Sequence, residues 1–192
     1  MLREHEVRAD RLLEIRLALP ARSFAAIDPG DAGAVLIYSP SRLLAIYPMA
    51  AAVACAKFCA ETGVSLFVVE TQYMGKNPQA VLRLARRASM LPTYVAALRE
   101  AAGNRAPTSV LWVAPGTWQA PLRKRAGKQP DRVTGKLLAL ARAREILGGD
   151  GRFVGAGKQV QEGIADALGI AEWTRGALWS LPSIVQGEAA QR

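Results

Sequence analysis

The sequence predicts an α/β fold, a five-stranded mixed sheet flanked by helices, and three observations lead there. Apolar, strand-like runs recur five times, the first three spaced like a meander. Segments of helical period separate and follow the later runs, which is the alternation of a layered α/β domain. Two of the runs, AAID and LFVVE, end in a carboxylate, as strands do where they leave a core for a working edge.

Along the chain, residues 1–22 read as a charged extension holding one helix, residues 8–19, closed by Pro20. Three strands follow, SFAAIDPG, AGAVLIY and LLAIYP, the first two joined by turn residues Pro29 to Asp31. A helix is predicted over 50–62, and SLFVVE is then the continuous apolar run of a buried parallel strand. The long helix should start at Asn77 and Pro78, an N-cap residue followed by a proline suited to the first helical position. Its apolar residues Val81, Leu84, Ala88, Leu91, Val95 and Leu98 form one stripe, with Pro92 as a candidate kink. The fifth strand, SVLWVAP, is expected to end at Pro115, with a short helical turn over 116–122 and a basic loop over 123–129. Helical spacing returns over 133–147, 148–157 reads as a loop, and 159–178 as an amphipathic helix. The expected organisation is therefore an extension (1–22), one domain (23–181) and a tail (182–192).

The composition narrows the partners. With 25 Lys and Arg against 16 Asp and Glu, the 192-residue chain carries +9, a field that draws polyanions such as nucleic acid or anionic membrane. Insertion in a membrane is not expected, because the most apolar stretch, 49–56, stops at Lys57, well short of the roughly 20 residues a span needs. The charged start MLREHEVRAD has no room for a secretory apolar core, so a reducing cytoplasm is expected. Cys55 and Cys59, four apart with no histidine beside them, read as core residues. The one histidine, His5, lies in the extension, which argues against histidine-based chemistry.

The placement of acids is the main chemical signal. Asp28 ends the first strand, Glu70 ends the fourth, and Asp166 lies in the otherwise apolar IADALGIAEW. Carboxylates at such places cost several kcal/mol to desolvate unless a positive charge compensates them. Mg2+ or Mn2+ is the natural compensator, and two such ions per site would align a water and stabilise the leaving oxygen of a phosphodiester. Taken singly, an acid after a strand is often only a turn or cap residue, and Asp28-Pro29-Gly30 alone is equally explained so. Between Arg123 and Arg144 stand eight basic residues, Arg123, Lys124, Arg125, Lys128, Arg132, Lys136, Arg142 and Arg144, against one acid, Asp131. Following the fifth strand, they suit phosphate contact better than a merely solvated face.

IDPGDAGAVLIY, VVETQYMGKNPQAVLRL and IADALGIAEW together resemble the motifs of the RuvC-type Holliday junction resolvases, over about residues 24–175. The resemblance implies an RNase H-like fold. It implies metal ligation by Asp28, Glu70 and Asp166, stacking by Tyr73 at an opened junction centre, and Mg2+- or Mn2+-dependent symmetric cleavage by a homodimer. Lys76 and Asn77 join Arg123, Lys124, Arg125, Lys128 and Lys136 as expected DNA contacts. The family's fourth acid is replaced by Gly163, and Glu162 is the nearest substitute, four residues before Asp166 and so on the same helical face. The stripe from Val81 to Leu98 fits equally a seam between protomers and a face packed on its own sheet. Either a bacterial or a phage-encoded resolvase fits the pattern. Two other readings stay open: a nuclease acting broadly on forks and flaps, and an inactive junction-binding protein that has lost the fourth acid. A kinase or ATPase of the actin-like type also starts a phosphate turn with Asp and Gly, but the sequence has no second such turn.

Overall fold

The computed structural model describes residues 23–39, 41–71, 78–104, 108–126 and 132–179. The expected extension helix at 8–19, His5, the tail, Tyr73, Lys76, Asn77, Lys128 and Asp131 lie outside them. Five strands form one sheet: β1 (Phe24–Ile27), β2 (Ala34–Tyr38), β3 (Leu43–Pro48), β4 (Leu66–Glu70) and β5 (Ser109–Val113), in the order β3-β2-β1-β4-β5. The first three are an antiparallel meander, while β4 joins β1 in parallel and β5 joins β4 in parallel. The parallel joins need crossovers, supplied by α1 (Ala52–Glu61) before β4 and α2 (Pro78–Ala101) before β5. After β5 come α3 (Pro115–Ala126), α4 (Arg132–Leu147), the short α5 (Gly151–Val154) and α6 (Lys158–Trp179).

Alternation along the strands sends successive side chains to two separate cores. Ile27, Val35, Ile37, Phe67 and Val69 pack under α1 and α2 with Cys55, Cys59, Ala88, Leu91 and Val95. Ala26, Leu36 and Val68 point the other way and are covered by α6, α4 and α3 through Leu168, Ile164, Leu140 and Trp118. Both cysteines are buried in the first of these cores, as expected, and are not disulfide-bonded. The buried part of the α2 stripe, Ala88, Leu91 and Val95, therefore faces its own sheet and α1.

Several local expectations are corrected. Residues 123–126 belong to α3 rather than a loop, and Pro115 opens that helix rather than closing the strand. Proline at a first helical position lacks only an amide that has no helical partner anyway, and the run Leu122 to Ala126 is made of good helix formers, so the helix continues through charge. The 148–157 segment holds α5, capped by the Asp150 side chain, which accepts from the Arg152 amide. Helix α2 runs unbroken through Pro92, and near its end Arg99 is buried at 3% exposure while Leu98 is 39% exposed. A strict three-and-four stripe allows either position, and the packing takes the fourth residue after Val95. No helix among the described residues is long and apolar enough to cross a membrane.

Candidate active site

The sheet register builds the site. Ile27 pairs with Val69 in the parallel β1–β4 join, so the next residues, Asp28 and Glu70, stand side by side at the carboxyl ends of neighbouring strands. By alternation both follow Ala26 and Val68 onto the face covered by α6. Asp166 is carried to the same place by α6, whose Ile164, Ala165, Ala167 and Leu168 are buried.

Asp28 serves its turn and faces the site at once. Its backbone amide donates to the Ala34 carbonyl at 3.0 Å, and its Oδ1 accepts from the Gly30 amide at 3.0 Å. The turn is tight: a Cβ on Gly33 would lie 2.1 Å from the Asp28 carbonyl oxygen, so only glycine fits there. Burial pushes the Asp28 carboxyl above its ordinary value, a rise partly offset by the Gly30 amide and the Lys136 ammonium. Glu70 is raised to about 7, first by burial, then by the charge of Asp28 and, less, of Asp166. Lys136 and a hydrogen bond from Trp118 act in the opposite sense. Glu70 thus feels the charges of Asp28 and Asp166 and, in the opposite sense, the ammonium of Lys136 on α4.

Glu162 is differently engaged. Its Oε2 lies 3.7 Å from Lys136 Nζ, and it is not among the charges that shift Asp28 or Glu70. Position 163 is closed to any side chain: a Cβ there would sit 2.2 Å from the Ala32 carbonyl oxygen and 2.8 Å from Gly33 Cα. Helix α6 therefore leans directly on the β1–β2 turn, and the place of a fourth acid is filled by backbone.

The basic residues divide. Lys136 stands beside the acids and Lys124 is exposed on α3, both open to a polyanion. Arg123, half-buried, donates from Nη2 to Gln119 Oε1 at 2.9 Å. The side chain of Arg125 lies outside the described residues, although its backbone is helical. Arg142, counted above among the phosphate-facing charges, is instead held by Glu172 through two bonds of 3.0 and 2.7 Å and by Glu145 at 2.7 Å, joining α4 to α6.

Two features escape a linear reading. Trp118 is 1% exposed, and its Nε1 donates to Glu70 Oε1 at 2.9 Å. A buried indole N–H requires an acceptor, but nothing local says which. Asp31, three residues after Asp28, accepts from Arg87 and, at 3.2 Å, from Arg83, tying the turn to the first half of α2.

The donor chemistry suits a hard divalent cation, since it offers partly buried carboxylates whose charges repel. Among the described residues no three His, Cys, Asp or Glu side chains are grouped so as to hold a metal ion as they stand.

No protein-family model matches the sequence, and no curated protein matches it significantly. Solved structures do resemble the fold. T. thermophilus RuvC in complex with Holliday junction substrate is similar at 17% identity and a TM-score of 0.45, over 83% of this chain and 94% of that one. The yeast mitochondrial Holliday junction resolvase Ydc2 is similar at 13% identity and a TM-score of 0.50, over 88% and 85%. With the mixed sheet and its order, the likeness establishes an RNase H-like α/β fold.

Proposed function

We propose that this chain is a RuvC-type, metal-dependent endonuclease that cuts four-way DNA junctions. One observation carries the reading: Asp28 and Glu70 stand side by side at the ends of adjacent parallel strands, with Asp166 facing them from α6 on an RNase H-like scaffold. The described parts of the motifs, IDPG, VVET and IADAL, fall on these elements, and the yeast relative in fold is itself a Holliday junction resolvase.

Asp28, Glu70 and Asp166 would hold Mg2+ or Mn2+. When bound, such an ion activates a water and offsets charge developing on a phosphodiester. The protein's own share is to present carboxylate oxygens in a partly buried site, where burial and the charge of Asp28 raise the Glu70 carboxyl to about 7. Lys136 contributes an ammonium beside the carboxylates, placed for a phosphate oxygen. Lys124, Arg123, Arg125 and Lys128, with Tyr73, Lys76 and Asn77, would track the backbone and the opened centre of a junction. A homodimer would place two sites across the two-fold axis of the substrate.

The test is cleavage of a labelled synthetic four-way junction beside linear duplex, in Mg2+ or Mn2+. Paired symmetric nicks that vanish in Asp28→Asn while junction binding persists are the expected result. Equal cutting of forks and flaps would broaden the substrate class, and no selective junction binding would overturn the proposal. The backbone-filled position 163 favours one second reading, a junction-binding protein without cleavage; selective binding with no nicks in either metal would establish it.

A further inference from the structure

The surroundings of Glu70 are brought in by the strand that pairs with it. In the β4–β5 join Glu70 lies opposite Val113, and Thr71 donates to the Val113 carbonyl from its amide at 2.8 Å and its hydroxyl at 3.2 Å. One residue after β5, α3 begins and carries Trp118 back over the sheet, where its indole N–H meets Glu70 Oε1 at 2.9 Å. The ring has nowhere else to go, being 1% exposed and packed in the core under α6. Its space exists because residue 169 of α6 is glycine: a Cβ there would stand 2.5 Å from Cζ3 and 2.6 Å from Cε3 of the indole. A large, rigid side chain thus fixes one oxygen of an acid that repulsion from Asp28 and Asp166 would otherwise turn away.

We propose that Trp118 is a positioning residue for Glu70, its indole N–H orienting the carboxylate for a divalent cation, with Gly169 as the relief that lets the indole reach it. This rests on the metal-nuclease reading above. Hydrogen-bonding partners of metal ligands typically contribute about 10- to 100-fold in metal affinity or activity.

The test is Trp118→Phe in the full chain, which keeps an aromatic ring and removes the donor. Mn2+ binding is measured by calorimetry, junction affinity in EDTA, and single-turnover cleavage across Mn2+ concentrations. Mn2+ half-saturation should weaken by about 10- to 100-fold, cleavage should fall at limiting Mn2+ and recover as Mn2+ saturates, and junction affinity should stay within about twofold. A role in packing alone would lower the melting temperature and leave Mn2+ half-saturation within about twofold, which overturns the proposal. Gly169→Ala, which crowds the indole, should weaken Mn2+ in the same direction. Should both variants fail to fold, indole N–H resonances of the wild-type chain decide. One of its 4 tryptophans should respond to Mg2+, and that response should be lost in Glu70→Gln; no responding indole overturns the proposal. A wild-type chain that neither binds Mn2+ nor cuts junctions removes the nuclease reading and this inference together, whereas a wild type that does both beside an unaffected Trp118→Phe removes only the inference.

Discussion

Glu70 is where a single residue sets a measurable property of the molecule. Unfolded, its carboxyl ionises near 4.5; folded, burial and the charge of Asp28 raise it to about 7. Between those values the unfolded chain gives up the proton and the folded chain keeps it, so stability falls as pH rises through the window and levels off above about 7. At 1.36 kcal/mol per unit the cost is roughly 3 kcal/mol. The metal-free protein is therefore expected to melt lower at pH 7.5 than at pH 5, with Mg2+ or Mn2+ restoring most at the upper end. A melting temperature that is flat across the window in metal-free buffer would contradict this. Glu70→Gln, neutral at every pH, should raise the metal-free melting temperature at pH 8 while reducing cleavage by about a hundredfold or more, as loss of several kcal/mol of charge stabilisation implies.

At the scale of elements, the site depends on how closely α6 can approach the sheet. Gly163 lets α6 rest on the β1–β2 turn, and Gly169 makes room for the indole carried by α3. Gly163→Asp, which would supply the acid usual at this place in the resembled family, meets backbone at 2.2 Å. It is expected to cost about 1–3 kcal/mol as overpacking and to bring no gain in cleavage; a stable, faster variant would show that α6 can slide. The seat of Lys136 depends on α4, which Arg142 binds to α6 through Glu172. Arg142→Ala should destabilise the fold by about 1 kcal/mol, the range of a well-formed but partly exposed pair. Because Lys136 then loses its fixed place, cleavage should fall more than junction affinity does, which kinetics at saturating junction would show.

For the whole molecule, the excess of nine positive charges is an association device rather than a fold determinant. Junction binding should weaken steeply with salt, and for about six neutralised phosphates the loss between 50 and 200 mM is of the order of a thousandfold. Lys124→Ala, on an exposed turn of α3, should lower the log–log salt slope by about one without altering the preference for junctions over duplex. A slope unchanged by that substitution would place the phosphate track elsewhere, with the arginines of α2 as the next candidates. Two of these, Arg83 and Arg87, are already turned toward Asp31 beside the site.

What the sequence determined by itself is whatever repeats over short range. Short apolar runs marked all five strands, the change to a helical period marked the crossovers, and a carboxylate at the end of an apolar run marked Asp28 and Glu70 as residues exposed to something other than core. The helix-breaking reputation of Pro115 and the charge of residues 123–126 misled at α3, because a loop and a solvent-facing helix share that composition. Only tertiary structure decided which groups meet. That β1 pairs with β4 in a register setting Asp28 beside Glu70, that Trp118 finds Glu70, that Glu162 answers Lys136, and that backbone occupies the space at residue 163 all depend on contacts between segments far apart in the chain. Local periodicity fixes which face of an element is apolar; strand order, register and helix approach fix what that face and its charged edge will touch.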